Sequence, residues 1–70
     1  MDDRILIQKN LEMLIKTSGK TQAGIANAIG VNEATISMYL KGRAVPSTLL
    51  IKKLCLELNC TYEDILGSVD

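Results

Sequence analysis

With 70 residues, the chain can bury only about 60% of the surface its unfolded form exposes, which leaves room for one small core and little for a pocket. Eight basic and eight acidic residues cancel, histidine is absent and there are two cysteines, so neither a zinc-ligand set nor histidine acid–base chemistry is available. No run approaches the ~20 apolar residues of a membrane span and no basic-then-apolar leader opens the chain, so the expectation is a reduced, cytoplasmic protein with no cofactor, metal or membrane partner.

Asp2 and Asp3 place carboxylates at the positive end of a first helix, along which Ile7, Leu11, Leu14 and Ile15 repeat on one face until Gly19 breaks it. Thr21 reads as the N-cap of a second helix with Gln22 in its first turn, and Ile25, Ala26 and Ile29 return at one-turn spacing. Gly30 follows the last periodic residue, where a left-handed residue closes a helix, and Val31 drops back inward. Asn32 caps a third helix whose inward side is Ile36, Tyr39 and Leu40. A projection at about 100° per residue puts Ala34, Ser37, Met38 and Lys41 on the opposite side, with Glu33 at the flank. Ser47, after Pro46, caps a fourth helix with Ile51, Leu54, Cys55 and Leu58 inward and Asn59 at its end. Thr61 to Asp64 has the form of a capping box with Asp in the Glu position, opening a short fifth helix expected to bury Ile65 and Leu66 before Gly67. Cys55 and Cys60 read as small core hydrophobes rather than a disulfide. Strand signals and internal repeats are absent. The expected fold is all-α, five short helices around one core, in a single domain over 1–70.

Residues 21–42 are thus two short helices joined by a tight glycine turn with one apolar seam, the sequence form of a DNA-reading helix-turn-helix. The same seam also suits an ordinary αα-hairpin whose outer face is merely solvated. Zero net charge weighs against nucleic acid, because affinity for it comes largely from neutralised phosphates. The distribution weighs the other way. Residues 1–53 hold all eight basic residues and four acidic ones, for +4, while Glu57, Glu63, Asp64 and Asp70 give the remainder −4.

Gln22-Ala23-Gly24-Ile25-Ala26, Ile29-Gly30-Val31-Asn32, Thr35-Ile36-Ser37 and Lys41-Gly42-Arg43 through Pro46 resemble the Xre/Cro/CI class of phage and bacterial regulators, the lambda-repressor-like fold. The likeness extends to Leu11 and Leu14 and to Ser47 through Leu66, so it covers nearly the whole chain. It implies sequence-specific binding of double-stranded DNA by a repressor of phage, mobile-element or bacterial type, with the helix after Asn32 in the major groove. It also implies that Thr21, Gln22, Lys41 and Arg43 hold backbone phosphates while Glu33, Ala34, Ser37 and Met38 face base edges. Glu33 suits a cytosine N4 amine, and Ala34 and Met38 suit thymine methyl groups. No Arg, Asn or Gln occupies that outward face, so bidentate base contacts are missing and DNA shape should contribute to a modest specificity. Glu33 has a purely structural use as well, since a first-turn carboxylate stabilises the helix dipole by ~0.3–1 kcal/mol.

The chain departs from the family at identifiable positions. Ile15 and Leu40 stand where members often pair an Arg near the end of helix 1 with a Glu near the end of helix 3, and exchanging both charges together leaves neither one buried alone. Lys20 stands where the family usually buries an apolar residue. On helix 4, Leu49 and Leu56 share a stripe about 180° from the core face and form a candidate homodimer surface, with Leu6 and Met13 on helix 1 as its rival. A protein-interaction module, such as an antitoxin-like partner binder, would use the same outward face as a DNA reader; steep salt dependence distinguishes DNA as the partner. An enzyme is not expected, because no nucleophile stands beside a base and no glycine-rich phosphate loop is present.

Overall fold

Local backbone devices set the helix boundaries. The structure is a computed structural model that describes residues 3–67; Asp2 and Asp70, which enter the charge reading, lie outside them. The helices are α1 (Asp3–Ser18), α2 (Gln22–Ile29), α3 (Glu33–Leu40), α4 (Thr48–Leu58) and α5 (Tyr62–Leu66). Thr21, Asn32, Ser47 and Thr61 are extended residues whose side-chain oxygens accept from the backbone N–H three residues on, at 3.0, 2.9, 3.3 and 3.2 Å. At Thr61 the box closes in both directions, since its own N–H donates to Asp64 Oδ2 at 2.9 Å. Three helices end alike, on a left-handed residue at Gly30, Gly42 or Asn59. The next N–H then reaches back five residues: Val31 to the Ala26 carbonyl at 2.9 Å, Arg43 to Met38 at 3.0 Å, and Cys60 to Cys55 at 3.0 Å.

All five helices feed one core. Ile7 and Leu11 enter it from α1, Ile25, Ala26 and Ile29 from α2, Ile36 and Tyr39 from α3, Ile51 and Leu54 from α4, and Ile65 from α5. The helix α1 packs on α3, α4 and α5, while α2 packs on α3 and α4. No strand occurs among the described residues, and none of their helices is long and apolar enough to cross a membrane.

Two apolar side chains depart from the expected pattern. Leu66 is 40% exposed, whereas Ile65 is fully buried. The reason is that Asn10 Nδ2 donates to the Ile65 carbonyl at 2.9 Å and fixes how the five-residue helix sits on α1, so the next side chain, about 100° around, turns away. Leu6 is half-buried, because a Cβ added at Gly67 would lie 3.0 Å from its Cδ2. The chain leaving α5 covers it, and Leu6 forms no free stripe with Met13.

Lys20 stays exposed. Its Nζ donates to Glu57 Oε2 at 2.8 Å and to the Glu57 carbonyl at 2.7 Å, tying the linker before α2 to the C-terminal end of α4, where a cation suits the helix dipole. A surface pair of this kind is worth roughly 0–1 kcal/mol. It also joins the basic and acidic portions of the chain, so their separation in sequence is only partly a separation in space.

Ile15 and Leu40 are half-buried against the core from α1 and α3, as an apolar replacement of a charge pair requires. Leu40→Glu should therefore destabilise by about 3 kcal/mol, and adding Ile15→Arg should recover at least half of that in urea unfolding. A double variant that unfolds no later than Leu40→Glu alone would rule out a contact between the two positions.

Cys55 and Cys60 are free, half-buried and packed against the core. The backbone bond from Cys60 to Cys55 draws the two side chains together, the usual apolar contact at such a helix end. Burial first, then the charge and hydrogen bond of Cys55, then the charge of Asp64 push the Cys60 thiol from 9.0 to about 11. The folded chain keeps this proton where the unfolded chain loses it, so the stability it lends is complete below pH 9 and falls as pH rises toward and through about 11. Burial also raises the Tyr39 hydroxyl, which adds to the fall at the alkaline end. Cys60→Ala should flatten the stability–pH curve from 9 to 11; curves that stay parallel would show that this thiol is not the titrating group.

Candidate nucleic-acid interface

The start of α2 is built to leave donors unused. Thr21 Oγ1 accepts from Gly24 N–H at 3.0 Å and the Thr21 carbonyl accepts from Ile25 N–H at 3.0 Å, so the N–H groups of Gln22 and Ala23 remain for an outside acceptor. Thr21 is exposed beside them and Gln22 is half-buried. A helix N-terminus with free N–H groups suits a phosphate oxygen.

Eight residues make α3, and the cap before them does double duty. Asn32 Oδ1 accepts from Thr35 N–H at 2.9 Å and from the Thr35 hydroxyl at 3.1 Å. Ile36 and Tyr39 are buried and Leu40 is half-buried, which seats one side of the helix on the core. Glu33, Ala34 and Met38 are exposed on the other side, with Met38 at 41%, and Ser37 is half-buried between the two. Short side chains at Ala34 and Ser37 allow a surface to approach the helix backbone, and the longer Glu33 and Met38 reach beyond them.

The turn after α3 links this face to the cations. Gly42 N–H donates to the Tyr39 carbonyl at 3.1 Å and Arg43 N–H to the Met38 carbonyl at 3.0 Å, the bond pattern of a Schellman end. Gly42 has φ +69°, a conformation that favours glycine, and an added Cβ would lie only 2.7 Å from Gln8 Oε1. The conformation demands glycine there, and an added Cβ would have to push the end of the Gln8 side chain aside. Lys41 and Arg43 are exposed on either side of it and make no ion pair among the described residues. Arg43 is thus held by its backbone to the residue whose side chain stands at the centre of the exposed face.

Thr21, Gln22, Glu33, Ala34, Ser37, Met38, Lys41 and Arg43 all fall on α2 and its N-cap, α3 and the turn that closes α3. Leu49 and Leu56 do not join them; they lie on α4 and are 62% and 76% exposed. Gln8 is the residue that pattern reading passes over. It lies three and seven residues before Leu11 and Ile15, so it is a polar residue on the edge of the apolar stripe of α1, and that misfit was the available signal. No group of His, Cys, Asp and Glu among the described residues could hold a metal ion.

The helix-turn-helix family profile matches residues 11–65, from within α1 to the buried Ile65 of α5. No curated protein matches the chain. Among solved structures, the solution structure of the SOS-response transcriptional repressor LexA from Eubacterium rectale is similar at a TM-score of 0.87 and 28% identity, covering 100% of this chain and 79% of that one. With its two-helix unit, exposed α3 face and cation-bearing turn inside the matched span, the chain belongs to the Xre/Cro/CI-type helix-turn-helix family of DNA-binding regulators.

Proposed function

We propose that the chain is a sequence-specific transcriptional repressor, or the DNA-binding unit of one, that lays α3 in the major groove of duplex DNA. The observation that carries this reading is the bond from Arg43 N–H to the Met38 carbonyl, which fixes a phosphate-seeking cation relative to the exposed face of a helix. The major groove admits an α-helix, and Glu33, Ala34, Ser37 and Met38 then meet base edges. The free N–H groups of Gln22 and Ala23, with the Thr21 and Gln22 side chains beside them, take a phosphate at one end of the unit, and Lys41 and Arg43 take phosphates at the other. The similar solved structure is that of a repressor, which favours repression over activation. On this reading the protein works in the bacterial cytoplasm, with both thiols reduced.

These contacts divide into two kinds with different signatures. Arg43→Ala should weaken binding on every sequence and flatten the log–log salt dependence by about one unit, because one phosphate contact is lost. Met38→Ala and Ala34→Gln should instead change the preferred half-site in a selection from random duplexes and leave the salt slope nearly constant. If the selection at low salt yields no preferred sequence, or if Met38 and Arg43 substitutions act alike on all sequences, direct readout by α3 is wrong. The outward face then belongs to a protein partner.

Leu49 and Leu56 support a second, separate element of this reading, a homodimer formed through α4. Their exposure on one stripe of α4 would let two copies bind adjacent half-sites together. Sedimentation of Leu49→Lys/Leu56→Glu should show a monomer where the parent is a dimer. An unchanged dimer, or a parent that is already monomeric, removes this face from the assembly.

A further inference from the structure

We infer that Gln8 is a positioning residue for the phosphate-binding turn: its side chain backs Gly42 and so sets where Lys41 and Arg43 present their charges. The inference rests on the DNA reading above and adds a residue from α1, outside the two-helix motif. Lysine and arginine have long, adaptable side chains, so the only firm control the fold has over their reach is the position of the backbone that carries them. Gly42 has no Cβ to pack, and its left-handed conformation is held by two hydrogen bonds from within the turn itself.

The structure supplies backing from α1. The position a Cβ would occupy at Gly42 is 2.7 Å from Gln8 Oε1, 3.4 Å from Gln8 Cδ and 3.9 Å from the Arg4 carbonyl oxygen. The side chain of Gln8 therefore occupies the space that a glycine leaves open. Gln8 itself is firmly mounted: Ile7 beside it and Leu11 one turn later are buried, and Asn10 bonds to α5. The turn thus leans on a strut rooted in the core. Gln8 makes no hydrogen bond within the described residues, so its truncation leaves no polar group without a partner and should cost little stability.

The test compares Gln8→Ala, Gln8→Met, Lys41→Ala/Arg43→Ala and the triple variant, using a short mixed-sequence duplex over a range of salt concentrations. Binding is measured at a temperature where circular dichroism shows every variant folded. Gln8→Ala should bind about three- to tenfold more weakly, with a salt slope shallower by up to about one unit, and it should melt close to the parent. Gln8→Met, which keeps a chain of similar length over Gly42, should restore at least half of the loss. In the Lys41→Ala/Arg43→Ala background Gln8→Ala should add less than about twofold, because the two cations through which it acts are already gone. An unchanged salt slope for Gln8→Ala, no rescue by Gln8→Met, or a full penalty retained in the triple variant overturns the inference while leaving the DNA reading intact. A parent chain whose binding ignores salt overturns the DNA reading and this inference with it.

Discussion

Four of the five helices are too short to stand alone. Isolated helices below about 12–15 residues are marginal in water, and four of these five run from 5 to 11 residues. What holds them is a single point of convergence. Leu11, Ile25, Ile36, Leu54 and Ile65 are fully buried, and each comes from a different helix. The orientation of α3, on which any readout of DNA depends, is therefore a property of the shared core and not of α3 itself. Loss of one of these side chains would loosen the seating of α3 without touching its outer face.

Around that core the fold relies on inexpensive local geometry. Four side-chain caps start helices, and three left-handed residues with a bond back across five residues end them. The same device does different work at each end. After α2 it pairs Ala26 with Val31, and after α4 it pairs Cys55 with Cys60, both apolar contacts that seal the core. After α3 it leads instead to Arg43, an exposed cation. A motif that seals the core twice thereby stands, the third time, between the exposed face of α3 and a turn that carries two exposed cations.

Electrostatics is organised more by place than by total. A net charge of zero leaves no long-range attraction to DNA, so attraction must come from cations held near the backbone phosphates. Among the described residues Lys41 and Arg43 form no ion pair, whereas Lys20 is committed to Glu57 and to the last turn of α4. The lysine nearest in sequence to the free N–H groups of α2 is thus spent on holding the linker.

Nearly all of the local structure was legible in the sequence. The caps at Thr21, Asn32, Ser47 and Thr61, the helix ends at Gly30 and Asn59, and the inward faces of α1 to α4 follow from side-chain chemistry and a 3.6-residue period, which act over a few residues and need no partner. The exposed side of α3 was legible for the same reason, since knowing which side is apolar determines which side is left. Contacts between distant segments were not. That Leu66 turns out, that Leu6 lies under Gly67, that Lys20 reaches Glu57 across 37 residues and that Gln8 backs Gly42 all depend on how whole helices dock. Helix periodicity says which face goes inward; only the packed core decides what that face, and the edge beside it, will meet.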